Sequence, residues 1–171
     1  KLALLIDGAR QIGKTTLIRQ FAKDYYGDNF VEINFINTPS AKEIFAGDIS
    51  VDGIISKLTL FLRRPLTPHK TLIFFDEVQE CLEVRTAIKF LVDDGRFDYI
   101  ESGSLLGINY KEIKSYAVGY EENRTMYPMD FEEFAIANGI QQSIFDMLRD
   151  CYERRVPVDE FVHKQMMQLF T

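Results

Sequence analysis

The segment Gly8-Ala9-Arg10-Gln11-Ile12-Gly13-Lys14-Thr15 matches the pattern G-x-x-x-x-G-K-[ST]. Residues 2–6, just before it, are continuously apolar, which predicts a strand buried on both faces. The residues after it are apolar at helical spacing, and we expect one apolar stripe formed by Leu17, Ile18, Phe21, Ala22 and Tyr25. A strand, a glycine-rich loop and a helix in this order predict a phosphate-binding loop (P-loop) for a nucleoside triphosphate.

The residue types in this loop suit that chemistry. Gly8 and Gly13 can take backbone angles closed to other residues, so that the loop can turn its N–H groups toward a phosphate. The helix that follows presents unpaired N–H groups and the positive end of its dipole. We expect Lys14 to contact the β- and γ-phosphates and the Thr15 hydroxyl to ligate magnesium. The predicted nucleotide-binding residues are Gly8, Ala9, Arg10, Gln11, Ile12, Gly13, Lys14, Thr15 and Thr16. A chance match in a glycine-containing turn is the alternative.

A second apolar run, residues 72–75, ends in two acids, Asp76 and Glu77. A buried parallel strand that ends in acids places them in the crevice where ligands of such sheets bind. We expect Asp76 to hold magnesium together with Thr15, and Glu77 to deprotonate the water that attacks the γ-phosphate. The alternative is that both acids cap the following helix. Gln79 is expected to contact the γ-phosphate or a neighbouring residue. The alternative is that it is a surface residue of a helix.

Two further residues are candidates for catalysis. Ser102 follows an apolar strand, and in a parallel sheet it falls at the same edge as Asp76, where a hydroxyl can sense the γ-phosphate; Ser104 is the second choice. The alternative is that Ser102-Gly103-Ser104 forms an ordinary turn. Arg124 can act as an arginine finger on the nucleotide of a neighbouring subunit, or it is an ordinary surface arginine.

The order of the remaining elements predicts the fold class. Further strands are expected at 29–36, 71–75, 97–100 and in part of 117–126. Ser40 is expected to cap a helix over 41–46, Ser50 to begin a longer helix that Pro65 and Pro68 end, and 82–92 to form another. Strands that alternate with helices predict an α/β fold, a five-stranded parallel sheet with helices on both faces.

From Asp130 onward the pattern is helical only. Asp130 and Glu133 form a predicted capping box for a helix that ends at Gly139, and two more helices are expected at 143–155 and 159–170. We therefore divide the chain into a P-loop ATPase core, residues 1–128, and a helical segment, residues 129–171. The sequence starts at Lys1 on the first strand and ends inside a helical pattern, so we expect it to be a piece of a longer polypeptide.

Composition excludes some classes of function. The hydrophobic content of 46%, the charged content of 27% and the formal net charge of −6 are those of an ordinary globular protein. Non-specific DNA binding is not favoured, because no basic cluster appears, although a patch formed only in three dimensions stays open. Cys81 and Cys151 lack metal-ligand spacing and are expected to be free thiols in the cytoplasm. No apolar stretch of about 18 residues argues for a membrane span.

Four motifs in order resemble the AAA-type ATPases that are commonly paired with a C-terminal DUF4143 domain, prokaryotic members of the AAA+ superfamily. The loop Gly8–Leu17 resembles their G-x-R-Q-x-G-K-T-T-L sequence, and Asp76–Gln79 is similar to their acidic strand end. Ser102–Leu106 resembles their T-G-S sensor strand, and Tyr127–Phe134 resembles their L-x-P-L-S-F-x-E-F segment.

The resemblance implies an α/β ATPase core, ATP with Mg²⁺, and a C-terminal domain beyond residue 171. Two positions depart from the family pattern: Ser102 stands where threonine is common, and Gly119-Tyr120 stands where the family has Gly-Arg, which puts the arginine finger in doubt. We expect binding of ATP and ADP and hydrolysis of ATP, with assembly into a homo-oligomer and any nucleic-acid partner left open. The alternatives are a regulatory switch that binds ATP with little turnover, and a small-molecule kinase, for which no arginine-rich lid is visible.

Overall fold

The computed structural model describes residues 1–104 and 119–170, and it consists of short helices and strands. In chain order the elements are β1 (Ala3–Gly8), α1 (Lys14–Tyr25), β2 (Phe30–Asn34), a 3-10 helix (Pro39–Phe45), α2 (Val51–Leu62), β3 (Leu72–Asp76), a 3-10 turn (Val78–Glu80), α3 (Leu82–Asp94), β4 (Asp98–Gly103), β5 (Glu121–Met126), α4 (Phe131–Ala137), α5 (Gln142–Arg154), α6 (Glu160–Met167) and a last 3-10 turn (Gln168–Phe170).

The five strands form one parallel sheet in the order β2-β3-β4-β1-β5. The register pairs Asn34 with Asp76 and Asp76 with Ser102, so that three neighbouring strands end with these residues side by side. Gly8 and Gly103, the last residues of β1 and β4, lie at the same edge. The predicted α/β fold with a five-stranded parallel sheet is confirmed.

Each face of the sheet has its own apolar core, because alternate residues of each strand point to opposite faces. On one face, α1 packs Ile18 and Ala22 against even-numbered strand residues such as Phe74. On the other face, α2 and α3 cover odd-numbered residues such as Phe75, whose ring packs against the rings of Phe35, Phe45 and Tyr99. Helices therefore cover both faces, as the sequence predicts.

Two local predictions are wrong. The helix expected over 41–46 after a Ser40 cap is a 3-10 helix that begins two residues earlier, at Pro39, because the fixed φ of proline suits a first helical position. The stripe predicted on α1 does not pack as one face. Ile18 and Ala22 are buried, whereas Leu17, Phe21 and Tyr25 are exposed. The buried face follows from Lys14, which points inward at the start of α1, since residues four and eight positions further on share its face.

Three other predictions are refined by the structure. Ser50 caps α2, its hydroxyl accepting a hydrogen bond from the N–H of Gly53, as predicted. β4 runs on to Gly103, so Ser102 lies in a strand and the turn alternative is wrong. The last strand was expected within 117–126, and β5 occupies 121–126. Residues 117 and 118 lie outside the described residues, and so do Leu105 and Leu106 of the sensor motif.

The chain divides into two compact units, Lys1–Tyr127 and Pro128–Thr171. The first contains the sheet. The second contains α4, α5 and α6 around a small core of Ala135, Phe145 and Met166. The predicted capping box is present in α4: Asp130 accepts a hydrogen bond from the N–H of Glu133, whose carboxylate accepts one from the N–H of Asp130.

Cys81 and Cys151 are both free thiols. Cys81 is buried at the start of α3, and burial raises the pKa of its thiol to about 12, so that it is an unreactive packing residue. Within the part of the chain that the structure describes, the helices are too short or too polar to cross a membrane.

Candidate functional site

The loop between β1 and α1 is closed by backbone conformations that favour glycine. Gly8 has φ 140° and Gly13 has φ 98°, and Gln11 is also left-handed with φ 63°. A Cβ on Gly8 would lie 2.2 Å from the carbonyl oxygen of Met126, so a side chain is excluded there. Gly13 is the N-cap of α1 and supplies no side-chain cap, which leaves the first N–H groups of this helix for another acceptor.

Lys14 is turned into this loop. Its side chain is only 7% exposed, and Nζ donates to the carbonyl oxygens of Gly8, at 3.0 Å, and Ala9, at 2.6 Å. Both acceptors are neutral, so these contacts do not balance the ammonium charge. A buried cation without a counter-charge is costly, and together with the uncapped helix N-terminus it makes the loop a site for an anion.

Asp76, at the end of β3, is the centre of a hydrogen-bond cluster. It is 1% exposed, and its Oδ2 accepts from Thr15 Oγ1 at 3.0 Å and from Asn34 Nδ2 at 2.8 Å. Its Oδ1 accepts from Ser102 Oγ and from the backbone N–H of Glu77. The structure therefore brings together three residues predicted from the sequence, Thr15, Asp76 and Ser102, at one edge of the sheet.

Glu77 follows Asp76 in a left-handed conformation with φ 60°. Its carboxylate accepts a hydrogen bond from the side-chain amide of Gln79, and the amide oxygen of Gln79 accepts one from the backbone N–H of Ser104. Glu77 makes no side-chain cap to the turn that follows, and α3 has Cys81 at its N-cap. The alternative in which these acids serve as helix caps is therefore wrong.

The remaining predicted residues lie outside this cluster. Arg10 and Thr16 are exposed, in the loop and in the first turn of α1. The side chain of Ile12, within the loop, lies beside Gly8, since its Cδ1 would be 2.9 Å from a Cβ on Gly8. Arg124 lies on β5, opposite Ile6 of β1, and its guanidinium pairs with Glu122. The structure does not bring Arg124 to Asp76.

A buried ionic group lies one residue from Ser102. Arg85 of α3 forms ion pairs with Glu101 of β4 and with Glu121 of β5, the latter at 2.7 Å. Burial, together with the nearby Glu121, raises the pKa of Glu101 to about 8 against the opposing charge of Arg85. Within the described chain, Arg85 Nε and one oxygen of each glutamate lack a hydrogen-bond partner. The group joins α3 to the two strands that flank β1.

The sequence interpretation missed Asn34 and left Gln79 undecided. Asn34 is the last residue of β2, the same kind of position that singled out Asp76 and Ser102, but the strand was expected to run to residue 36, so only a correctly placed strand end could have identified it. Gln79 could not have been assigned in this way, because its contacts depend on a 3-10 turn that returns the chain toward β4.

The residues at this edge fit a nucleotide phosphate and Mg²⁺. A hydroxyl has one proton and two lone pairs, so Thr15, which donates its proton to Asp76, keeps its lone pairs for a cation. In residues 1–104 and 119–170 there is no cluster of three or more His, Cys, Asp or Glu side chains that could hold a metal. A small number of protein ligands is normal for Mg²⁺, because this ion is usually bound by one or two side chains together with water and substrate phosphates.

Comparisons with known proteins agree with this arrangement at the level of the family. The family model described as "AAA domain" matches residues 1–135. No curated protein sequence matches the chain.

Similar solved structures include the Drosophila ORC bound to DNA, with a TM-score of 0.49 and 9% identity over 75% of this chain and 82% of that one. They also include the C. elegans PCH-2, with a TM-score of 0.46 and 15% identity over 95% of this chain and 43% of that one. A third is the Drosophila ORC bound to AT-rich DNA and Cdc6, with a TM-score of 0.46 and 9% identity over 99% of this chain and 74% of that one.

Proposed function

This chain belongs to the family of AAA domains, and from that premise we propose that its P-loop binds ATP and that the domain hydrolyses ATP with Mg²⁺. A nucleotide-binding role of the ATPase type follows from the family itself. The identity of the nucleotide, the hydrolysis and the part played by each residue are our proposals.

The observation that carries the proposal is the position of Lys14. Its buried ammonium contacts only neutral carbonyl oxygens among the described residues, beside a helix N-terminus that no side chain caps. The N–H groups of the loop and the Lys14 ammonium would bind the phosphates, which supply the missing negative charge.

Thr15 and Asp76 would hold Mg²⁺, Thr15 through its lone pairs and Asp76 directly or through water. Mg²⁺, when bound there, neutralises charge on the β- and γ-phosphate oxygens. Asn34 and Ser102 keep the Asp76 carboxylate in place by donating to its two oxygens. Glu77 would accept the proton of the attacking water. Ser102, with its hydroxyl beside Asp76, is the proposed sensor of the γ-phosphate.

Arg124 is proposed as a finger that acts on the nucleotide of a neighbouring copy in a homo-oligomer, because it lies apart from the Asp76 cluster of its own chain. The assignment of residues 129–171 to a separate helical segment, the DUF4143 partner domain and the cytoplasmic location stay predictions.

The test measures ATP affinity and phosphate release for the wild type, Lys14→Ala and Glu77→Gln. Lys14→Ala removes a charge-assisted contact of about 1.5–3 kcal/mol, so we expect ATP affinity to fall by about 10–100-fold. Glu77→Gln should bind ATP like the wild type and release phosphate about 10²–10⁴-fold more slowly. Lys23→Ala, in the last turn of α1, and Glu80→Gln are matched controls on exposed side chains.

Unchanged ATP affinity in Lys14→Ala would remove the central claim. Tight ATP binding without phosphate release in the wild type would instead favour the regulatory switch. Phosphate transfer to an added nucleoside, faster than phosphate release, would favour the kinase.

A further inference from the structure

Gln79 links the proposed general base to the end of β4. Its Nε2 donates to Oε2 of Glu77, and its Oε1 accepts from the backbone N–H of Ser104 at 3.2 Å. The orientation of this amide is fixed by its two partners, because a backbone N–H can only donate and an ionised carboxylate can only accept. Reversing the amide would break both hydrogen bonds.

The backbone around Gln79 makes room for this contact. A Cβ on Gly103 would lie 2.5 Å from Oε1 of Gln79 and 3.3 Å from Cγ2 of Val78. Since 2.5 Å is too close for a carbon atom, a residue larger than glycine at position 103 would require Gln79 to move from this position. Ser102 of β4 thus contacts Asp76 at the end of β3, and Ser104, just after β4, contacts Gln79 in the turn that follows β3.

The conformation of Glu77 also requires support. A left-handed backbone at a residue other than glycine costs on the order of 1–3 kcal/mol and persists only where surrounding contacts determine it. Three hydrogen bonds act on Glu77 here: its N–H donates to Asp76 Oδ1 at 3.1 Å, its carbonyl oxygen accepts from the N–H of Glu80 at 2.9 Å, and its carboxylate accepts from Gln79. Gln79 is the contact that fixes the reactive end of the side chain.

We propose that Gln79 is the positioning residue of the general base Glu77, an inference that rests on the proposed function. By holding Oε2, the amide leaves Oε1 to take the proton of the attacking water. Through Ser104 it also ties the direction of the carboxylate to β4, the strand that carries Ser102. Proton transfer depends steeply on geometry, so a carboxylate that is free to rotate is a poorer base.

Two substitutions test this with different side effects. Gln79→Met keeps the length of the side chain and removes both hydrogen bonds. Gln79→Glu keeps an acceptor for Ser104 and replaces only the donor to Glu77, so it preserves the docking on β4. We expect turnover to fall by about 10–100-fold in Gln79→Met, because the general base loses part of its contribution to the rate. Turnover should fall further in Gln79→Glu. The ATP affinity of both variants should stay within about twofold of the wild type. Gln20→Met removes a similar amide-to-carboxylate contact on the exposed face of α1 and is the matched control.

A double-mutant cycle separates positioning from a general structural effect. If Gln79 acts through Glu77, Gln79→Met should change the residual turnover of Glu77→Gln by less than about twofold. An equal loss in both backgrounds would show that Gln79 only supports the fold and would overturn the inference. Turnover in Gln79→Met equal to or above that of the wild type would overturn it as well.

The outcome is distinguishable from a failure of the proposed function. If the wild type hydrolyses ATP in a manner that needs Glu77, and the Gln79 variants do not lose turnover, only the positioning role fails. If the wild type shows no turnover that needs Glu77, the proposed hydrolysis and the positioning role fail together. The contact itself is checked by the side-chain amide resonance of Gln79, which should shift in Glu77→Ala; an unchanged resonance would contradict the geometry.

Discussion

The Thr15 hydroxyl donates a hydrogen bond to Oδ2 of Asp76 at 3.0 Å, which joins the first turn of α1 to the end of β3. These residues lie 61 positions apart in sequence. The direction of the bond matters, because an ionised carboxylate accepts hydrogen bonds and cannot donate them. It leaves the lone pairs of Thr15 as ligands, beside a carboxylate that other donors already orient.

We predict that Thr15→Val lowers the magnesium-dependent part of ATP affinity. Valine has the shape of threonine without the hydroxyl, whereas Thr15→Ser keeps the hydroxyl. ATP affinity with Mg²⁺ is compared with affinity in a chelator. Thr15→Ser should keep the gain that Mg²⁺ brings, and Thr15→Val should lose about tenfold of it, which is about 1.4 kcal/mol. The same gain in Thr15→Val would exclude Thr15 as a ligand.

Asn34→Asp should make the stability of the domain depend on Mg²⁺. Asn34 Oδ1 accepts from the N–H groups of Ile36 and Asn37, and an aspartate can keep both contacts. Only its second contact changes: the amide that donates to Asp76 at 2.8 Å becomes a carboxylate that repels it. We expect a Tm below that of the wild type, by about 2–4 °C per kcal/mol in a protein of this size, and a larger rise of Tm with added Mg²⁺.

Asn34→Ala is the reference for that experiment, because it removes the amide without adding charge. If Mg²⁺ raises the Tm of Asn34→Asp no more than that of Asn34→Ala, the two carboxylates do not form a cation site.

The residues that the sequence could place are those whose position is set locally. The loop from Gly8 to Thr15 and the acids after β3 follow directly on apolar strands, and the parallel sheet then places them at one edge. Asn34 and Ser102 meet Asp76 because of the strand register, which a single sequence does not give. The sequence therefore predicted the fold and the main residues of the candidate site, whereas the contacts among them came from the structure.

The wrong predictions also arose from contacts between residues that are far apart in the sequence or that depend on the packing of the fold. The fourth strand was expected at 97–100, yet β4 runs on to Gly103 and includes Glu101, which is fully buried. Its carboxyl group is contacted inside the core by Arg85, which lies on α3 and 16 positions earlier, a partner that the sequence does not reveal. The prediction of one apolar stripe on α1 was wrong because apolar residues alone do not determine which face of a helix turns toward the sheet. Lys14 determines that face, since its ammonium must enter the loop.

Gly8→Ala should destabilise the fold far more than Gly13→Ala. Both glycines have positive φ, so alanine costs on the order of 1–3 kcal/mol at either position. Only at Gly8 does the added Cβ also meet a backbone atom, the carbonyl oxygen of Met126 at 2.2 Å, whereas at Gly13 the nearest atom is 3.8 Å away. Urea unfolding of both variants measures the difference. Equal losses of unfolding free energy would show that β1 and β5 do not approach as described.

Glu101→Gln should change how stability depends on pH. Burial raises the pKa of Glu101 from 4.5 to about 8, so between these values the folded protein binds a proton that the unfolded chain has released. A protonated Glu101 leaves Arg85 and Glu121 as a neutral pair, and ionisation at higher pH adds an uncompensated buried charge. The stability contributed by Glu101 is therefore complete below about pH 4.5 and is lost as the pH rises toward 8, with a slope of at most about 1.4 kcal/mol per pH unit.

The measurement is the unfolding free energy of the wild type minus that of Glu101→Gln, taken from urea unfolding between pH 5 and pH 8.5. The subtraction cancels the titration of groups that both proteins share, and Glu80→Gln, on an exposed residue, controls for the loss of one carboxylate. We expect the difference to fall steadily across this range, because glutamine at 101 binds no proton in either state. A difference that stays constant, or that rises with pH, would mean that Glu101 is ionised throughout and that Arg85 compensates both glutamates.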